Sequence, residues 1–212
     1  MTKYFDFFGK EILETQLPNY IDYHKADINK NGSFKLIESY ENSELVSLNA
    51  FIEDEIECEL FFEKYPKLET IEFCLFIERQ NNYSKYLNFD INKHNLKSGG
   101  SIQVYGDGIL PVYENKNLDN NQQNKKLWKY YYLTELNVEF EFEYDEKGNF
   151  KQLSIYDVNM ICDSDNTTIL PNEIGIGKND FDFNWEGMEY YKNIEPIIPS
   201  GKITTHNTIY SK

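Results

Sequence analysis

Apolar residues recur at every second position over several stretches of this chain, and the longest such stretch runs from Leu133 to Val158. There Leu136, Val138, Phe140, Phe142 and Tyr144 alternate with Glu135, Asn137, Glu139, Glu141 and Glu143, the period of a strand with one buried face. The turn DEKGN supplies Gly148 and Asn149, residues that tolerate positive φ, and a second strand resumes at Phe150. A three-residue loop would set Phe142 opposite Gln152. A four-residue loop sets Phe142 opposite Leu153 and Phe140 opposite Ile155. A slip of one residue exchanges the faces, so the apolar pairing selects the longer loop. The other face then carries a column of glutamates, Glu139, Glu141 and Glu143, with Tyr156 on the returning strand.

The same alternation marks other segments. In residues 53–63, EDEIECELFFE, Ile56, Cys58, Leu60 and Phe62 alternate with Glu55, Glu57, Glu59 and Phe61. Strict alternation would wrap apolar residues around a helix, so the pattern predicts a strand. Thr70–Glu78 places Ile71, Phe73, Leu75 and Ile77 on one face, and Lys85–Ile91 follows a polar turn, completing a meander. Asn31-Gly32 lies between two apolar runs and is a hairpin signal. Near the start the period lengthens: Phe5, Phe8 and Ile12 share a stripe, predicting a helix over 3–16 that Pro18 ends. Residues 115–126 form a polar, low-complexity loop. Beyond Cys162 periodicity disappears, Pro and Gly punctuate the chain, and one helical turn is expected near Trp185–Lys192. The expected architecture is α+β: a mainly antiparallel sheet of hairpins and meander, an N-terminal helix and an irregular C-terminal wrap. It forms one domain over 1–212, with the tail 163–212 packed on it.

Charge narrows the partners. The chain has 36 acidic and 21 basic residues, a formal charge of -15, which argues against nucleic acid or an anionic membrane as a ligand and suits a basic protein partner. With 17 Tyr and 15 Phe a core is available despite the polar average. The cysteines Cys58, Cys74 and Cys162 form no CxxC pair, and the opening MTKYFDFFGKEILETQL has no uninterrupted apolar run. Both features predict a cytoplasmic protein with reduced thiols.

The sharpest motif is Asp27–Glu38, DINKNGSFKLIE, which matches the calcium loop of an EF-hand at Asp27, Asn29, Asn31, Gly32 and Glu38. The flanks depart from that family: Pro18 interrupts the incoming helix, and Ser39, Asn42 and Ser43 follow where an apolar stripe belongs. A β-hairpin with an Asn-Gly turn is the competing reading. His24, His94 and His206 stand apart, and neither a nucleophile elbow nor a phosphate loop is present. The expectation is a protein that is not an enzyme, with no catalytic, metal or cofactor residues. The two glutamate runs, Glu55, Glu57, Glu59 and Glu139, Glu141, Glu143, are either solvated faces or partner-binding columns. Like charges opposite one another in a sheet are destabilising, so the two runs are not expected as neighbours. Trp128, Tyr130, Tyr131, Tyr132, Trp185, Tyr190 and Tyr191 are candidate anchors or ordinary core.

With its EDEIECELFFE and NVEFEFEYDEKGNF stretches, the chain resembles the immunity proteins of bacterial polymorphic-toxin and contact-dependent inhibition systems. The resemblance is one of general character and includes no family motif. It implies a protein that binds and neutralises one cognate toxin, often a basic nuclease. The partner-binding residues expected on this reading are Glu55, Glu57, Glu59, Glu139, Glu141, Glu143 and Tyr156. The alternative is a calcium- or small-ligand-binding β-rich domain using Asp27–Glu38.

Overall fold

A computed structural model describes residues 1–117, 125–133, 138–157, 167–179, 183–201 and 203. Leu136, Cys162, His206 and most of the polar tract lie outside the described residues. Contacts cluster into two compact units, Met1–Arg79 with Tyr83–Pro111, and Gln80–Asn82 with Val112–Lys212.

Unit 1 contains β1 (Thr2–Asp6), β2 (Glu11–Ile12), β3 (Asp22–Ile28), β4 (Phe34–Glu41), β5 (Glu44–Ile52), α1 (Cys58–Lys64), β6 (Thr70–Gln80), β7 (Tyr83–Asn92) and β8 (Lys97–Tyr105). Its strands lie in the order β8-β7-β6-β5-β4-β3-β1-β2. β5 and β6 pair in parallel, because the connection between them passes through α1 instead of a tight turn. The Asn31-Gly32 hairpin forms as expected, with Gly32 at φ +85° between β3 and β4. Neighbouring residues on one strand enter different cores. Leu36 and Phe73 join Leu48, Ile52 and Ile71, whereas Ile37 and Cys74 join Phe5, Ala26, Phe34 and Tyr86. Both faces of this sheet therefore bury apolar side chains.

Two expectations fail here. The N-terminal helix is instead the β1–β2 hairpin followed by a 3-10 segment, Glu14–Asn19. Asp6 Oδ1 accepts the N–H groups of Phe8 at 3.0 Å and Lys10 at 2.9 Å, while Gly9 turns at φ +80°. An aspartate that binds nearby backbone stabilises a turn over a helix. Phe5 and Ile12 are still buried, but from paired strands.

The strand expected over 53–63 is a 3-10 turn, Glu55–Glu57, running into α1. Asp54 caps it by accepting the Ile56 N–H, and the Glu57 carboxylate accepts the N–H groups of Glu53 and Asp54. These bonds satisfy donors that a helix start leaves orphaned. The helix then buries Cys58, Phe61 and Phe62 against Phe73, a spacing of three and four. Ile56 and Leu60, expected inside, are 81% and 65% exposed. Strand occupies 53% of the structure and helix of all kinds 13%, so the class is mainly β, not α+β.

Unit 2 contains β9 (Pro111–Asn117), β10 (Lys125–Leu133), β11 (Val138–Tyr144), β12 (Phe150–Asp157) and β13 (Thr167–Ile169), in the order β13-β12-β11-β10-β9. Phe142 stands opposite Leu153 and Phe140 opposite Ile155, the register read from the sequence. The turn is held by Asp145 Oδ1, which accepts from Lys147 and Asn149. Gly148, at φ +83°, lies so close to Ile194 that a Cβ would overlap its side chain. Its carbonyl accepts the Ile194 N–H at 3.0 Å.

The described part of the tail covers one face of this sheet. Phe183, Trp185, Met188, Tyr191 and Ile194 pack against Phe140, Phe142, Tyr144 and Leu153. The helical turn expected near Trp185–Lys192 is a single 3-10 turn, Glu189–Tyr191. Tyr191 stacks on Phe142 with centroids 4.3 Å apart. No helix among the described residues is long and apolar enough to cross a membrane.

Candidate functional site, an acidic and aromatic sheet face

Alternation on β11 buries Val138, Phe140, Phe142 and Tyr144 beneath the tail, and it turns Glu139, Glu141 and Glu143 the other way. Residues directly opposite in an antiparallel ladder share a face. On β12 the neighbours of the three glutamates are Tyr156, Ser154 and Gln152, and on β10 they are Tyr132, Tyr130 and Trp128. The acidic column thus runs between an aromatic column and a mixed polar one. Tyr130 and Tyr132 stack at 6.0 Å, and Glu114 on β9 joins the face opposite Trp128, its carboxylate 3.4 Å from the Tyr130 hydroxyl.

The electrostatics follow from this layout. Glu143 is paired with Lys151 at 2.6 Å. No ion pair of Glu139 or Glu141 is present among the described residues. Burial, with the Glu141 charge adding to it, pushes the Glu139 carboxyl up to about 7. Burial and Glu143 also raise Glu141, which Lys126 only partly offsets. The phenols of Tyr130, Tyr132 and Tyr156 are raised by burial and by the surrounding glutamates, so they remain O–H donors at neutral pH. The face is a half-buried acidic region in which Glu143 has Lys151 as counter-charge, while Glu139 and Glu141 have no ion pair among the described residues. An arginine or lysine entering it would meet carboxylate acceptors and aromatic faces together.

The other sequence-predicted residues lie elsewhere, on unit 1. Glu55, Glu57 and Glu59 belong to the helical segment and form no strand column. Glu55 pairs with Lys97 at 2.8 Å, Glu57 caps the helix start, and Glu59 is solvent-exposed.

The Asp27–Glu38 segment is a hairpin without the flanking helices of an EF-hand. Glu38 is buried and accepts from Lys25 at 2.7 Å, Tyr65 at 2.8 Å and Tyr40 at 3.2 Å. Burial works to raise its carboxyl, yet these bonds outweigh it and hold the group below its ordinary value. Asn31 Oδ1 is engaged by Ser33, and Asp27 Oδ1 by the Thr2 hydroxyl. Among the described residues no three His, Cys, Asp or Glu side chains are grouped to hold a metal. Burial pushes the Cys58 thiol up to about 11 and holds Cys74 well above its ordinary value, so neither is a thiolate at neutral pH.

Trp128, Tyr130 and Tyr132 were candidate anchors in the sequence, but only the β10–β11 register places them opposite the glutamates. Glu114 had no signal at all, because its place depends on how β9 pairs. Tyr131, Trp185, Tyr190 and Tyr191 pack in or against the core cluster beneath the sheet. No family model matches the chain, and neither does any curated protein or solved structure with which it was compared.

Proposed function

We propose that this protein is an acidic cytoplasmic immunity or inhibitor protein, which binds a basic protein toxin through the Glu139, Glu141 and Glu143 face and neutralises it. The observation that carries this reading is the half-buried pair Glu139 and Glu141, which have no ion pair among the described residues and are framed by Tyr132, Tyr130, Trp128 and Tyr156. Holding such carboxylates uncompensated costs stability, and a cationic partner would recover that cost on binding. Complementary charge also accelerates encounter, which suits an inhibitor that must act before its target does. The aromatic side chains supply the rigid area that binding hot spots commonly use.

The test is retention of a basic partner from the native lysate at low and high salt by the wild type and by a Glu139→Gln/Glu141→Gln variant. A stoichiometric basic partner kept by the wild type, lost by the variant and inactive while bound supports the proposal. Equal retention by both proteins would overturn it.

A further inference from the structure

The helix α1 needs one apolar stripe to fold, and Cys58, Phe61 and Phe62 supply it by packing onto the Phe73 core. The helix and the 3-10 turn that leads into it, Glu55–Glu57, also leave two apolar side chains outside. Ile56 and Leu60, four residues apart, are 81% and 65% exposed, and neither contributes to the core. A third apolar side chain, Leu96, is 64% exposed in the turn between β7 and β8. That turn is tied to the helix start: Lys97 reaches across the Phe89 ring, 3.8 Å from its centroid, to pair with Glu55. It is held internally too, since Asn92 Oδ1 accepts the N–H groups of His94 and Leu96, and Lys93 bonds the carbonyl and carboxylate of Glu69. Leu96 is therefore presented on a preorganised turn.

We infer that the outward face of α1, together with the Leu96 turn, is a docking surface for a protein that presents an apolar patch ringed by lysine or arginine. Ile56 and Leu60 lie four residues apart, the Glu55–Lys97 pair brings the start of β8 to the same helix start, and exposed apolar side chains within a polar rim have the anatomy of an interface. Charge decides the occupant. The exposed charged residues of these two segments are Glu53, Asp54, Glu55, Glu59 and Glu63, against Lys64, Lys93 and Lys97, an acidic excess. A second copy of this chain would bring the same acidic rim against its own, on a molecule of formal charge -15. A basic rim meets no such repulsion. This surface is on unit 1, and the inference does not depend on the Glu139 face of unit 2.

The test uses the full-length, isotope-labelled protein titrated with a short amphipathic helical peptide of leucine and lysine. Control peptides have every leucine changed to serine, or every lysine to glutamate. Amide shifts should concentrate at residues 55–64 and 92–97, and the control peptides should bind at least about tenfold more weakly. An Ile56→Ser/Leu60→Ser variant should lose a similar factor, while Glu139→Gln/Glu141→Gln leaves the affinity at this patch unchanged. Both serine positions are exposed, so that variant keeps its core. Equal binding of the leucine-free peptide, or shifts spread over acidic surfaces without focus on α1, would overturn the inference. So would self-association of the wild type in sedimentation that Leu60→Ser abolishes, which would make a second copy the occupant.

Discussion

Lys129 holds its ammonium 3.6 Å from the centroid of the Tyr190 ring and donates a 2.6 Å hydrogen bond to the carbonyl of the same residue. A second bond, 2.9 Å long, runs to the Asn193 carbonyl. Lys129 sits on the core face of β10, wholly buried between Phe142 and Tyr113, and it fastens the irregular tail to the sheet. Burial, weakly opposed by Glu195, pulls its pKa from 10.5 down to about 7.

That depression sets a sign. Between about 7 and 10.5 the unfolded chain keeps the lysine proton and the folded chain has released it. Stability contributed by this group therefore rises with pH across that window. Lys129→Met should remove this rise, about 1.4 kcal/mol for each pH unit inside the window, read from urea unfolding at neutral and alkaline pH with tryptophan fluorescence. The variant leaves the Tyr190 and Asn193 carbonyls without their donor, so at pH 7 it should be no more stable than the wild type. An unchanged pH slope would show that the ammonium is not buried as described.

Glu139 has the opposite dependence. Its folded pKa is raised from 4.5 to about 7, so the folded chain retains a proton that the unfolded chain has lost in that interval. The stabilisation from that proton is complete below 4.5 and disappears as pH rises through 7. Glu139→Gln should match the wild type near pH 4 and exceed it near pH 8 by about 1–2 kcal/mol, a figure discounted for the partial exposure of the side chain. A cationic partner should lower this pKa, so binding near pH 7 should release protons, which calorimetry in buffers of different ionisation enthalpy would detect.

Phe142 has no solvent exposure and touches Phe150, Phe183, Trp185 and Tyr191. Phe142→Ala should cost about 3–5 kcal/mol, because the sheet and tail that surround the ring cannot both collapse into the cavity. Leu60→Ala, on the exposed side of α1, should change stability by no more than about 0.5 kcal/mol. Chemical denaturation of both variants checks the contrast.

Millimolar calcium should leave the melting temperature of the wild type unchanged, and Asp27→Ala should show the same indifference. Glu38, the residue that an EF-hand loop would offer bidentately, is committed to Lys25, Tyr40 and Tyr65. A rise in melting temperature with calcium that Asp27→Ala abolishes would mean that those bonds break to form a site.

Two misreadings share a physical origin. The period-2 pattern of residues 53–63 was real, but half of it was surface: Ile56 and Leu60 face solvent, and the capping bonds of Asp54 and Glu57 determine the local structure. The stripe of Phe5, Phe8 and Ile12 was compatible with a helix until Asp6 and Gly9 formed a turn between them. In both cases side-chain bonds to nearby backbone outweighed the apolar pattern, which cannot tell a buried residue from an exposed one.

Turn chemistry and alternation act over a few residues, so the sequence by itself determined the Asn31-Gly32 hairpin, the Phe142–Leu153 register and the acidic column on β11. It also determined the formal net charge of -15. The strands flanking that column, the burial that raises Glu139, and the seat of Lys129 beneath Tyr190 were decided by the tertiary structure alone. Lys129 and Tyr190 stand sixty-one residues apart in the chain. The energy of such contacts arises from desolvation and packing among distant segments, which exist only once the strands have paired.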